Sequence, residues 1–231
     1  MQPVDILAVG AHPDDVEFGA GGLLALSATR GDRVGVVDLT RGEAGSKGDA
    51  DLRAREAAAA AATYGAAFRL NLDLGDSRLA DGPEAAEALA KVVRAGRPRL
   101  VLAPPLLDRH PDHRAAALLV RRAVLYAGLS KLGEPHSAAA VVHYAVNEWD
   151  RPDFIVDISA VWENKLRALQ AFASQTESTV ALDHAYFGAR DYLRLIAARA
   201  AYHGALIGAT YGEGYWLAHG GVPLADPLRA F

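Results

Sequence analysis

Short apolar runs alternate with longer helical patterns through the first half of this chain, and that order constrains the fold more than any other feature. Val4–Val9, Arg33–Leu39, Ala67–Leu72 and Arg99–Ala103 read as strands. Val16–Arg30, Asp51–Tyr64, Pro83–Ala95 and His113–Tyr126 read as helices, with Gly31 and Gly65 closing the first two and Pro83 opening the third. Such a βαβα order predicts the α/β class, with a mostly parallel sheet and helices on both faces. The second half is less regular. Ala139–Val146 and Phe154–Ile158 read as strands, Ala160–Phe172 and Ala185–Tyr202 as helices, and Gly212–Trp216 as a final aromatic segment. No linker, repeat or low-complexity tract divides the chain. The expectation is one domain over residues 1–231, its C-terminal part (from about 135) closing over the sheet's carboxyl edge.

Two polar turns interrupt this pattern at equivalent places. His12-Pro13-Asp14-Asp15 follows the first strand, and Asp108-Arg109-His110-Pro111-Asp112-His113 follows the fourth. Right-handed crossovers bring the carboxyl ends of parallel strands to one edge, where ligands bind. The two turns are therefore expected to meet. Imidazole nitrogen and carboxylate oxygen suit Zn²⁺, with Fe²⁺ or another divalent ion an alternative on ligand type alone. His12, Asp15 and His113 can supply the three protein ligands of a catalytic metal site. Asp14 can then accept a proton from the attacking water. His110, as imidazolium, can stabilise an oxyanion and protonate a leaving amine. Asp112 can fix a neighbouring imidazole's tautomer, although spacing does not say which one. The plainer alternative for Asp14 is a helix N-cap.

Composition narrows the class further. Of 231 residues, 51% are hydrophobic and 23% charged, and the net charge is −4. There is no global basic field to attract nucleic acid. No apolar run is long enough to span a membrane, and no signal peptide is expected. With no cysteine, disulfides, thiolate catalysis and Cys-ligated zinc are excluded. This fits a cytoplasmic protein.

Ala11-His12-Pro13-Asp14-Asp15-Val16-Glu17, Gly42-Glu43-Ala44-Gly45 and His110-Pro111-Asp112-His113 resemble the LmbE/PIG-L family of zinc-dependent N-acetylglucosaminyl deacetylases. Further along, Asn147, Pro152–Ser159, Ser174-Gln175 and Tyr211–Tyr215 look like its bacillithiol-biosynthesis branch. That branch removes acetate from N-acetylglucosaminyl-malate. The resemblance implies a Rossmann-like fold, zinc on His12, Asp15 and His113, Asp14 as base and His110 as electrostatic acid. It also implies a tyrosine at the oxyanion, matched by Tyr192 with Tyr186 as rival, and a homohexamer.

On the substrate side, Asn147 and Glu213 are candidates for sugar hydroxyls. Arg53 and Arg109 are candidates for carboxylates, which a guanidinium binds in bidentate fashion. Gly42, Gly45 and Gly48 read as a mobile lid or a simple turn. Trp149, Trp162 and Trp216 could stack on a sugar, Trp162 being the better core residue. Tyr211, Tyr215 and Trp216 are alternatively a subunit contact. Competing substrates are free N-acetylglucosamine, chitooligosaccharides or an amide conjugate of a thiol. A dinucleotide site is disfavoured, because two carboxylates in the first turn would repel pyrophosphate. An Fe(II) oxygenase or a plain metal- or sugar-binding module would have no use for both Asp14 and His110.

Overall fold

A computed structural model describes residues 1–147, 151–176 and 191–218. One seven-stranded sheet organises them, in the order β3-β2-β1-β4-β5-β7-β6. The strands are β1 (Ile6–Gly10), β2 (Val34–Asp38), β3 (Phe68–Asn71), β4 (Leu100–Ala103), β5 (Ala140–Tyr144), β6 (Phe154–Asp157) and β7 (Gly212–Leu217). From β3 through β5 every pairing is parallel, while β7 runs antiparallel to both β5 and β6. The expected mostly parallel sheet is present, and the aromatic segment from Gly212 is its antiparallel strand.

Residue alternation explains the layers. In β1, Ile6 and Ala8 face one core, shared with Val34, Val36, Leu102, Val142 and Tyr144. Leu7 and Val9 face the other, shared with Val37, Val101 and Ala103. Successive strand residues point to opposite faces, so a strand covered on both sides reads as a continuous apolar run. Helix α1 (Asp15–Thr29) and the later helices α5 (Trp162–Gln170) and α7 (Tyr192–Ile207) cover the first face. Helices α3 (Pro83–Gly96) and α4 (Pro111–Gly128) cover the second. Helix α2 (Ala50–Thr63) follows β2, and the short α6 (Ala173–Thr176) follows α5.

Helix α1 is buried on nearly every side of its first ten residues. Its glycines permit this: a Cβ at Gly19 would lie 2.0 Å from the Tyr144 ring. The chain turns from β1 to β2 to β3 on one side of the sheet and resumes with β4 on the other. The crevice at that change of direction lies between the carboxyl ends of β1 and β4. Among the described residues, no helix is long and apolar enough to cross a membrane.

Candidate metal-dependent active site

The turn leaving β1 and the turn leaving β4 meet at this crevice. His113 Nε2 lies 3.2 Å from Asp15 Oδ1, and His12 Nδ1 lies 3.4 Å from Asp15 Oδ2. One donor atom from each of His12, Asp15 and His113 falls within 4.8 Å of the others, and all three side chains are buried. Two imidazoles and a carboxylate at that spacing fit Zn²⁺ or a similar divalent ion. A second grouping of His12, His110 and Asp112 shares His12 but includes the half-buried His110.

The supporting carboxylates identify which imidazole each one serves. His113 Nδ1 lies 3.2 Å from Asp108 Oδ2. Asp108 also accepts from the His110 N–H at 2.7 Å and from Asn147 Nδ2 at 3.0 Å. His12 Nε2 faces two carboxylates, Asp76 at 3.1 Å and Asp112 at 3.4 Å. Asp112 is held by the Ser77 N–H at 2.7 Å, and Asp76 by the Ala44 N–H at 2.9 Å. Asp112 therefore serves His12, not the adjacent His113. Burial opposes the charged form of both rings. The surrounding carboxylates outweigh it, raising the pKa of His12 well above its usual value and that of His113 to about 9. Sequence reasoning does not single out Asp108 or Asp76. Asp108 lies inside the second histidine motif, and Asp76 follows β3, where the same strand-end logic applies.

Asp14 occupies the N-cap position of α1 yet caps nothing with its side chain. Its φ of 116° places a non-glycine residue in a disfavoured region, a strain the surrounding structure must sustain. Its carboxylate accepts instead from Arg53 Nη2 at 3.1 Å. Burial pushes the Asp14 pKa up, Arg53 holds it down, the neighbouring Asp15 adds to the rise, and it comes to about 7. Arg53 itself is buried, and also donates to the carbonyls of Pro13 and Gly42. A Cβ on Gly42 would lie 2.1 Å from Arg53 Nη1, so this glycine makes room for the guanidinium. Arg53 borders the cleft, but its partners are the Pro13-Asp14 turn and the Gly42 loop.

The surroundings of His110 oppose the positive charge expected for it. Burial, then His113 and His12, lower its pKa. Its Nδ1 accepts the Asp112 N–H at 3.2 Å. With Nδ1 accepting, the neutral ring carries its proton on Nε2 and offers a hydrogen-bond donor there.

The cleft above these residues measures about 430 Å³. Tyr192 borders it and stacks on Phe18, with ring centroids 5.7 Å apart. Arg109 and Asn147 border it and bond to each other at 3.1 Å. Asn147 also approaches His113 Nδ1 at 3.4 Å, so its amide is largely committed to Asp108 and His113. Lys47, Gln175 and Arg199 complete the rim.

Glu213 is not in the cleft, contrary to expectation. It is buried behind α1, accepting from the N–H groups of Gly22 and Leu23, from Lys165 and from Tyr215. With both oxygens so engaged, it has no capacity for a sugar hydroxyl. Tyr215 is fully buried and cannot form a subunit contact, while Trp162 is core, stacked on Tyr211 at 4.2 Å. Tyr186 and Trp149 lie outside the described residues.

Fold and site together define an α/β protein with a buried cluster of two histidines and one carboxylate, able to hold a metal ion, at its topological switch. The chain belongs to the PIG-L (GlcNAc-PI de-N-acetylase) family, whose model matches residues 7–124. It is 34% identical to the diacetylchitobiose deacetylase of Thermococcus kodakarensis, over 90% of this chain and 81% of that one. It is 35% identical to the 4-oxalmesaconate hydratase of Pseudomonas putida, over 73% of each. The crystal structure of a conserved protein from Thermus thermophilus superposes with a TM-score of 0.86 at 39% identity, covering 97% of this chain and 98% of that one.

Proposed function

We propose that this protein is a metal-dependent hydrolase that removes the N-acetyl group from a small molecule containing N-acetylglucosamine. Asp14 carries the reading: a strained, buried carboxylate beside the metal ligands that caps no helix and titrates near neutrality. A general base works best with its pKa near the operating pH. Family membership and the deacetylase relative support the substrate class.

The metal is Zn²⁺ in this reading; bound to His12, Asp15 and His113, it would polarise the amide carbonyl and acidify water. Asp14 takes the proton of the attacking water as the new C–O bond forms. His110 hydrogen-bonds the oxyanion through its Nε2–H, and Asp14 returns the proton it took from water to the departing nitrogen as the C–N bond breaks. Tyr192, held over Phe18, gives a second donor at the oxyanion. Acetate and a free amine result.

The substrate we favour is N-acetylglucosaminyl-malate. Lys47 and Arg109 border the cleft, adding positive charge outside the metal ligands and the Asp14–Arg53 pair. Such a rim suits an anionic aglycone. The diacetylchitobiose deacetylase relative favours a second reading, a neutral chitooligosaccharide. Acetate release from N-acetylglucosaminyl-malate, diacetylchitobiose and free N-acetylglucosamine separates the two. Preference for the malyl compound, weakened in Arg109→Ala, is expected. Preference for diacetylchitobiose would overturn the malate assignment, and no acetate from any of them would overturn the deacetylase reading. The proposed setting is cytoplasmic and the proposed assembly a homohexamer.

A further inference from the structure

Lys165, Arg199 and Glu213 are buried together behind α1 and take no part in the chemistry above. In a regular α-helix the carbonyl of residue 18 and the N–H of residue 22 are each other's partners. Here each meets a charged side chain. The Phe18 carbonyl accepts from Arg199 Nη2 at 2.7 Å and from Lys165 Nζ at 3.1 Å. The Gly22 and Leu23 N–H groups donate to Glu213 at 2.8 and 2.7 Å, and Lys165 pairs with the same carboxylate. Cations meet the carbonyl and an anion meets the N–H groups, the sense that the peptide dipoles favour. A Cβ at Gly22 would lie 2.8 Å from the Ile158 side chain and 2.9 Å from Glu213 Oε1, so glycine makes room for both.

Arg199 has a second arm. Its Nη1 donates to the Val146 carbonyl at 2.8 Å. Val146 precedes Asn147, which is bonded to Asp108 and approaches His113. Phe18 lies one helical turn beyond Asp15. One guanidinium thus spans the segment carrying Asp15 and the segment bracing His113. Burying three charges is a poor route to stability alone, since desolvation offsets much of the attraction. A fixed two-armed span is something that apolar packing does not supply.

We propose that Arg199, seated by the Lys165–Glu213 pair, is a positioning residue that sets the spacing of Asp15 and His113 by clamping the Phe18 and Val146 carbonyls. The proposal rests on the reading of His12, Asp15 and His113 as metal ligands. Arg199→Lys keeps the charge but cannot present a planar fork to two carbonyls. Its Zn²⁺ dissociation constant, measured by chelator competition, should rise roughly 10-fold, in the range seen when outer supports of metal ligands are lost. The visible spectrum of the Co²⁺-loaded protein should change as well. Should Arg199→Lys not fold, Glu213→Gln decides, with a smaller rise and a spectral change expected. A folded variant with the parent's Zn²⁺ affinity and Co²⁺ spectrum overturns the proposal and leaves the metal assignment intact. A parent protein that takes up no Zn²⁺ overturns both.

Discussion

Arg53 reaches from the first turn of α2 across the Gly42 loop to hold the Asp14 carboxylate at 3.1 Å. It opposes the burial that raises the Asp14 pKa. Removing it in Arg53→Met should raise that pKa further. The ionised carboxylate is the base, so the acid limb of kcat/KM should move to higher pH, by about one unit for each 1.4 kcal/mol of lost attraction. Activity should fall most below neutrality and recover at high pH. A KM increase uniform across pH, with an unmoved limb, would instead make Arg53 a substrate ligand.

Asp14→Asn should separate chemistry from metal binding. The variant keeps side-chain volume and leaves His12, Asp15 and His113 in place. Loss of a general base lowers kcat by about 10²–10⁴-fold. Metal analysis should show the parent's Zn²⁺ content. Loss of metal together with activity would mean that Asp14 holds the turn rather than the proton.

Asp108→Asn should act through His113. Asp108 Oδ2 faces His113 Nδ1 at 3.2 Å. Burial alone would raise the Asp108 pKa, but that imidazole, more than any other neighbour, brings it below the usual value. An amide there can present its NH₂ to Nδ1 and favour the wrong tautomer. Zn²⁺ affinity should drop about 10–100-fold. Chelator competition measures this directly, and an unchanged affinity would show that Asp108 merely shapes the loop.

Acid stability should depend on His203. Among the described residues its buried Nε2 has no hydrogen-bond partner, and burial first, then Arg199, lower its pKa to about 4. The unfolded chain binds this proton near pH 6.5, so the associated stability is intact above 6.5 and is lost as pH falls towards 4. The slope is at most about 1.4 kcal/mol per pH unit. Urea midpoints of the parent and of His203→Gln, compared at about pH 7.5 and about pH 5, should show a smaller decline in the variant. Parallel declines would assign the acid sensitivity to other groups.

The sheet, the two histidine turns and their meeting are legible because each depends on local pattern plus one topological rule. Leu7 and Val9 face one core while Ile6 and Ala8 face the other, and a doubly covered strand must be apolar throughout. The roles of single polar residues are less legible. Sequence alone makes Glu213 and Arg53 candidate substrate ligands, since a charged residue near glycines gives no hint of burial. What engages Glu213 is a pair of helix N–H groups from residues 191 and 190 positions earlier. His110 reads as a cation in sequence, but burial and two other imidazoles brought near by folding oppose that charge. Such effects belong to tertiary proximity, which spacing along the chain does not encode.

Strand β7 pairs with β5 through Val142↔Leu217 and Tyr144↔Tyr215, and with β6 on its other edge. It is reached directly from α7, which carries Tyr192 and Arg199 on the cleft wall. This part of the cleft wall and the completion of the sheet are therefore one piece of chain. Exchanging the wall between relatives to alter what is hydrolysed means transplanting a strand register too, so new specificities should arise more readily from point changes at Lys47 or Arg109 than from segment swaps.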